Sequence, residues 1–400
     1  MSIALQLTAA EQALGVSLPH RRMEDWRWTD LRRVITKPYP AQKVDAAAKD
    51  VERLLAASPF AKLAKARVVF VNGVYDNKYS VIPAKAGIQL LRGAEAAKLD
   101  SRFRGNDGGG VFEKLNARLE ADGVTLRFDG NLDQPVEIIH ITTDATPRAI
   151  GLHNAITVAD GASASIIETF LGEGDYVVNA VTSITLGKGA HLDRLKLQND
   201  AASATHLSQV IYDLGENARL NDITVTVGAA LTRQNGNCHF NGQNAEAKIS
   251  GAYLQRAKQH VDTRLVVEHR VPHCTSRELF KCVMDDNARG IFQGKVVVAR
   301  DAQKTDGKQS SHALLLSERA EFDAKPELEI YADDVVCGHG ATAGDLNHDH
   351  LFYLKSRGIP EAEAKSLLIA AFVGEAFDMV ANDEVREVLV GIAQEWVVGK

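Results

Sequence analysis

A cysteine and a histidine two residues apart, Cys337 and His339, are the residues of this chain best suited to chemistry. They stand in the run YADDVVCGHGATAGDL at 331–346, where Gly338 and Gly340 flank the histidine. Residues at i and i+2 of a strand point to the same face, so the thiol and the imidazole would be presented together. A thiolate binds iron or copper and takes up sulfur as a persulfide, and an imidazole beside it can lower the thiol pKa or act as a second ligand.

These two side chains make only part of a site. An iron–sulfur cluster normally takes four protein ligands, so the missing ligands must come from another chain or from solvent. The two glycines would let another surface approach the backbone closely. The alternative, a small buried thiol beside a surface histidine, stays open at this point.

The elements that must position this pair are short strands in a repeating pattern. From about residue 65 onward, runs rich in Val, Ile and Thr alternate with a phrase in which a loop residue precedes an alanine and then alternating side chains. The alanines are Ala162, Ala190, Ala218, Ala245, Ala288 and Ala320. Their steps of 28, 28, 27, 43 and 32 residues leave no room for a helix in each unit. The pattern predicts a mainly β fold, a right-handed parallel β-helix (solenoid) with small residues at tight corners.

Helical patterns flank the strands, which predicts an N-terminal helical region at 1–66, a parallel β-helix core at 67–344 and a C-terminal helical region at 345–400. In the first region, Trp26 and Trp28 of EDWRWTDL are expected to be core aromatics. Residues of about 82–109 are rich in turn formers and are expected to form an inserted surface loop.

The C-terminal region begins its main helix after Pro360. Apolar residues then recur at helical spacing and include Ile369, Phe372, Val373 and Phe377. This stripe is expected either to cap the last coil of the solenoid or to dock a partner.

Bulk properties exclude several functional classes. A formal net charge of −6 argues against a nucleic-acid or anionic-membrane partner. No signal-peptide pattern or long apolar run is seen, so a cytoplasmic location is expected. Four scattered cysteines without a CxxC pair predict reduced thiols.

The motifs of the C-terminal half resemble a known family. KPELEIYADDVVCGHGATAGDL, followed by LFYLKSRGI and preceded by LLLSERAEFDA, resembles the C-terminal signature of SufD-type chains in the SufB/SufD family. EDWRWTDL and FVNGVY also have counterparts there. The resemblance implies a β-helix scaffold subunit, not an enzyme, of the SufBCD iron–sulfur cluster assembly complex.

The resemblance also implies partners and residue roles. By position, His339 would lie at the contact with a SufB-like paralogue and act there as a transient metal ligand shared with that chain, and Cys337 would be a second interface residue. No cofactor would be held tightly by this chain alone, since the cluster is transient at the SufB interface. The helical unit around Pro360, Ile369, Phe372, Val373 and Phe377 would dock a SufC-like ATPase. Alone, the chain would pair with itself through the same edge.

Two other functions are weighed against this one. Parallel β-helices can cleave polysaccharides with paired carboxylates, for which Asp285, Asp286, Asp333 and Asp334 are candidates. The missing signal peptide and an aromatic content of 6% weigh against that function. The chain also lacks a GxxxxGK[ST] loop, so any ATP hydrolysis would belong to a partner.

Overall fold

A computed structural model of the chain describes residues 7–41, 45–83, 88–91, 110–132, 134–143 and 147–399. Their strands form two sheets. Sheet A contains β1 Ala66–Val71, β2 Val74–Tyr75, β5 Val136–Thr142, β7 Ser163–Gly172, β9 His191–Asn199, β11 Arg219–Thr226, β13 Glu246–Gln255, β15 Thr275–Met284, β17 Asp306–Leu315 and β19 Val336–Gly344. Sheet B contains β3 Ile88–Leu91, β4 Thr125–Phe128, β6 Arg148–Val158, β8 Tyr176–Leu186, β10 Thr205–Leu214, β12 Leu231–Phe240, β14 His260–His269, β16 Arg289–Val298 and β18 Glu321–Ile330.

From β5 to β19 the chain alternates between the two sheets, and each strand lies parallel to the next strand of its own sheet. This arrangement is a parallel β-solenoid of about seven turns, and it confirms the predicted fold class. Helices α1 Ala9–Leu14, α2 Leu31–Val34 and α3 Ala48–Ala56 precede the strands, and α4 Val111–Arg118 lies between β3 and β4. Helices α5 His348–Ser356, α6 Glu361–Phe377 and α7 Asp383–Val398 follow the last strand.

The repeated alanines lie at the corners of the coils. Ala190, Ala218 and Ala245 each precede a strand of sheet A and are fully buried, and the residue before Ala190 is Gly189, with a left-handed φ of 65°. Ala288 and Ala320 instead precede strands of sheet B. The irregular step of 43 residues therefore marks a change from one corner of the solenoid to the other. No extra segment is inserted there.

The interior of the solenoid is filled by the inward-facing residues of both sheets, and part of it is charged. The guanidinium of Arg194, on β9, donates to Glu168 at 2.5 Å and to Asp222 at 2.7 Å, and all three side chains are buried. Buried charges of this kind are retained only where they are paired.

Helices α1, α2 and α4 cover the outer face of sheet B, whereas α3 packs on sheet A beside β1 and β5. Trp26 is buried there, with the Arg233 guanidinium 4.5 Å from its ring centroid. The Arg233 side chain also pairs with Asp262 at 2.5 Å, which fixes the cation under the indole. Trp28 is only half-buried beside Arg27, so the expectation that both tryptophans are core residues is wrong for Trp28.

Part of the segment expected to be an inserted loop, 82–109, is a strand. Ile88–Leu91 forms β3, which pairs antiparallel with β4 at the first end of sheet B. Residues 84–87 and 92–109 lie outside the described residues, so for them the loop stays a prediction. Within the described residues, no helix is long and apolar enough to span a membrane.

Candidate functional site

The last strand of sheet A, β19, carries both candidate residues at the open end of the solenoid. β19 pairs with β17 along its whole length, and no described strand pairs with its other side. The neighbouring end of sheet B, β18, is likewise an edge. Large apolar residues are exposed around this end, namely Ile330, Tyr331 and Val336, with Tyr331 63% exposed.

Cys337 and His339 face the same side of β19, as the strand spacing predicts. They pair in register with Gly307 and Gln309 of β17, two buried residues of that strand. The Cys337 thiol is half-buried, and a Cβ atom added to Gly307 would lie 3.5 Å from its Sγ. His339 is exposed. The structure thus brings the two residues together at the rim of the solenoid interior.

The glycines beside His339 are not required by the packing of this chain. A Cβ atom added to Gly338 or to Gly340 would meet no atom of the described residues within 4 Å. Neither residue has a left-handed φ. Their lack of a side chain therefore leaves the outer surface of the strand open to another backbone.

The Cys337 thiol is not activated within this chain. Burial raises its pKa above the ordinary value, and the nearby carboxylates of Asp306 and Glu278 raise it further. A hydrogen bond with the Gly307 backbone acts in the opposite direction. A thiolate at this position would need a further positive charge, from a metal ion or from a partner chain.

Two buried polar residues lie below the candidate pair, and sequence reasoning missed both. The Gln309 side chain donates from Nε2 to Oε2 of Glu278 at 2.9 Å. Gly294 makes room for that amide, since a Cβ atom there would lie 2.0 Å from Gln309 Nε2. Burial raises the pKa of Glu278 to about 7. The 31-residue spacing of these two positions follows the coil period and could have revealed their contact.

The described residues contain no group of three or more His, Cys, Asp or Glu side chains that could hold a metal ion. That Cys337 and His339 form part of a site therefore stays a prediction. His348 and His350 lie apart from them in the first turn of α5, where Asn347 caps the helix.

The C-terminal helices cover the outer face of sheet A, and this corrects the expected docking residues. Ile369, Val373 and Phe377 of α6 are at most 1% exposed and pack against apolar side chains of the sheet. They form the core between α6 and the solenoid and cannot at the same time line a docking surface. Phe372 is partly buried in the same cluster, whereas Pro360 lies at the N-terminal end of α6.

Other apolar residues of the helical unit are exposed instead. Phe352 and Tyr353 of α5 are 74% and 59% exposed, and Leu367 of α6 is 39% exposed. Adjacent exposed aromatic residues of this kind often mark a protein interface.

The acidic pairs considered for polysaccharide cleavage lie at opposite corners of the solenoid. Asp285 and Asp286 follow β15 on the way from sheet A to sheet B. Asp333 and Asp334 lie between β18 and β19, on the way back to sheet A, where Asp334 forms an ion pair with Lys304. The two pairs therefore do not converge on one groove, as a pair of catalytic carboxylates must.

Comparison with known proteins agrees with the family resemblance of the sequence. The family model "SUF system FeS cluster assembly, SufBD core domain" matches residues 140–372. The iron–sulfur cluster assembly protein SufD of Escherichia coli (strain K12) is 31% identical over 395 residues, which cover 96% of this chain and 90% of that protein. A SufBD family protein of Synechocystis sp. is 30% identical (93% and 86% covered), and the chloroplastic protein ABCI7 of Arabidopsis thaliana is 27% identical (95% and 83% covered). With its solenoid, its open edge and these relatives, the chain belongs to the SufBD family.

Proposed function

We propose that this chain is a non-catalytic scaffold subunit for iron–sulfur cluster assembly that completes its site with a SufB-like paralogue. The observation that carries the proposal is the open edge of β19, which presents His339 and Cys337 without a full ligand set. The cluster is the cargo of this site, and the chain alone holds no cofactor tightly.

The free edge of β19 is suited to strand addition. The backbone N–H of Val336 donates to the carbonyl of Thr305, the residue just before β17. In a parallel ladder the odd-numbered residues of β19, such as Ala341, therefore direct their backbone groups to the free side. A strand from a paralogous solenoid would satisfy those groups and cover the exposed apolar residues around them. When no paralogue is present, a second copy of this chain would use the same edge.

His339 would contribute an imidazole ligand to a nascent cluster at that junction, together with a cysteine of the SufB-like chain. Its exposure fits a residue that meets its ligand only in the complex. Cys337 is a weaker candidate, because burial keeps its thiol protonated in this chain.

The C-terminal helical unit would dock a SufC-like ATPase. Phe352 and Tyr353 offer the exposed aromatic surface for it. Dimerisation of that ATPase on ATP would pull on the helical units of both scaffold chains and open the junction where His339 lies. ATP binding can drive this opening only if the contacts between the ATPase and the scaffold chains differ between the ATP-bound and ATP-free states.

The test is co-expression with SufB-like and SufC-like chains, followed by pull-down and ultraviolet–visible spectra of the complex. His339→Ala should leave the complex intact and remove most of the cluster absorbance. His348→Ala is the matched control, because this histidine is also exposed but lies on α5. Wild-type absorbance in His339→Ala would refute the ligand role.

Edge pairing is tested separately with Ala341→Pro, which removes one donor from the free side and leaves the bonds to β17 in place. Ala341→Val, which keeps that donor, is the control. We expect Ala341→Pro to lose the SufB-like chain in the pull-down while retaining the ATPase. Unchanged recovery of the SufB-like chain would refute pairing through β19.

A further inference from the structure

A row of polar side chains crosses the outer face of sheet A from helix α6 to strand β19. Glu375 of α6 accepts from Lys281 of β15 at 2.6 Å. Lys281 is in register with His312 of β17, and His312 is in register with Thr342 of β19. His312 Nδ1 lies 2.7 Å from the Thr342 hydroxyl. The row therefore joins the helical unit to the strand that carries His339.

Lys281 is the most constrained member of this row. Its side chain is 5% exposed, whereas that of Glu375 is 60% exposed. The ammonium also lies 4.6 Å from the ring centroid of Phe372, which is on α6 as well. The Glu375 carboxylate and the Phe372 ring thus both contact this buried cation from one helix, and displacement of that helix would remove the two contacts together.

His312 continues the row toward the edge. Burial lowers its pKa, the positive charge of Lys281 lowers it further, and Glu375 opposes the change. The imidazole is therefore neutral at neutral pH, and its Nδ1 can accept from the Thr342 hydroxyl. The opposite charges of Glu375 and Lys281 consequently influence the pKa of the histidine that contacts β19.

We propose that Lys281 and His312 are positioning residues that couple the placement of α6 to the placement of β19. When α6 is displaced, Lys281 loses its carboxylate and the ring of Phe372, and it must turn toward water. The position of Lys281 beside His312 then changes. The hydrogen bond between His312 and Thr342, three residues from His339, changes with it. The functional meaning of this coupling rests on the proposed scaffold role, but the coupling itself is a property of the isolated chain.

Hydrogen exchange of the isolated chain, followed by mass spectrometry of peptides covering 336–344, tests the coupling. Glu375→Gln removes the carboxylate at one end of the row, and Thr342→Val removes the hydroxyl at the other. Each variant should speed hydrogen exchange of β19 about threefold. The effect is this small because one partner in each contact is exposed to solvent, which weakens the interaction. If the two ends are coupled, the double variant should also exchange about threefold faster than the wild type.

The matched control is Lys295→Met, which breaks an ion pair of the same length, 2.6 Å, with Glu329 on sheet B. It should leave exchange of β19 unchanged. An unchanged rate in Glu375→Gln, or a double variant about ninefold faster as expected for independent effects, would overturn the proposal. Because no partner chain is present, this result does not depend on whether the proposed scaffold role is correct.

Discussion

Replacing Glu278 by glutamine should stabilise the protein, and more so as the pH rises. Glu278 is 2% exposed below Gln309, and burial raises its pKa from 4.5 to about 7. The folded state therefore binds this proton more tightly than the unfolded state. That stabilisation is fully present below about pH 4.5 and is lost as the pH rises through about 7.

The magnitude follows from the two pKa values. A difference from 4.5 to about 7, at about 1.4 kcal/mol for each pH unit, corresponds to roughly 3 kcal/mol of unfolding free energy. Glutamine cannot ionise and can still accept from Gln309 Nε2. The free energy of unfolding of Glu278→Gln, minus that of the wild type, should therefore rise by roughly 3 kcal/mol between pH 4.5 and pH 8.

Urea unfolding at several pH values measures this difference. Most of the rise should fall between about pH 5 and pH 7, where the unfolded state is ionised and the folded state is not. The control is Glu329→Gln, which removes an exposed carboxylate of β18 and should show no such rise. A difference between Glu278→Gln and the wild type that stays constant from pH 5 to pH 8 would refute the reasoning.

Three further predictions concern the thiols, the interior and the N-terminal cap. A maleimide should label only Cys337 in the folded chain, since the other three cysteines are buried, and labelling should accelerate as the pH rises. Mass spectrometry of labelled peptides measures this, and modification of a second cysteine would contradict it. Arg194→Met should cost about 3–5 kcal/mol in urea unfolding, because Glu168 and Asp222 are left buried without their cation, and a cost below ~1 kcal/mol would contradict the pairing. Trp26→Ala should cost about 3–5 kcal/mol by the same assay, and an equal loss in the Trp28→Ala control would contradict the burial difference between the two residues.

Much of the fold could be predicted because each coil repeats the same local requirement. A small residue is needed wherever the chain turns into the interior, so alanines such as Ala190 and Ala218 mark the corners directly. The sequence does not show which of the two corners an alanine occupies, so Ala288 at a sheet B corner shares the pattern of Ala245 at a sheet A corner. At the next sheet A corner, before β15, the small buried residue is Cys274. A search for repeated alanines therefore misses this corner.

The apolar stripe of α6 illustrates a different limit. Helical periodicity shows that Ile369 and Val373 share a face, but it does not tell whether the solenoid or a partner covers that face. The structure shows that sheet A covers it. The exposed aromatics Phe352 and Tyr353 lie on a helix with little amphipathic pattern, so periodicity alone did not identify them.

The candidate site shows why neighbours in a solenoid are hidden in the sequence. A local motif identifies His339. Its neighbours across the strands are far away in sequence: Gln309 lies 30 residues before His339, and Glu278 lies 31 residues before Gln309. The same spacing separates Thr342, His312 and Lys281. A strand with as few apolar side chains as β19 gains little from burial within its own chain, and its free edge is a liability for an isolated protein. Such an edge is tolerable when a partner covers it. The residues of β17 that contact β19, and those of β15 behind them, then determine the position in which the strand meets that partner.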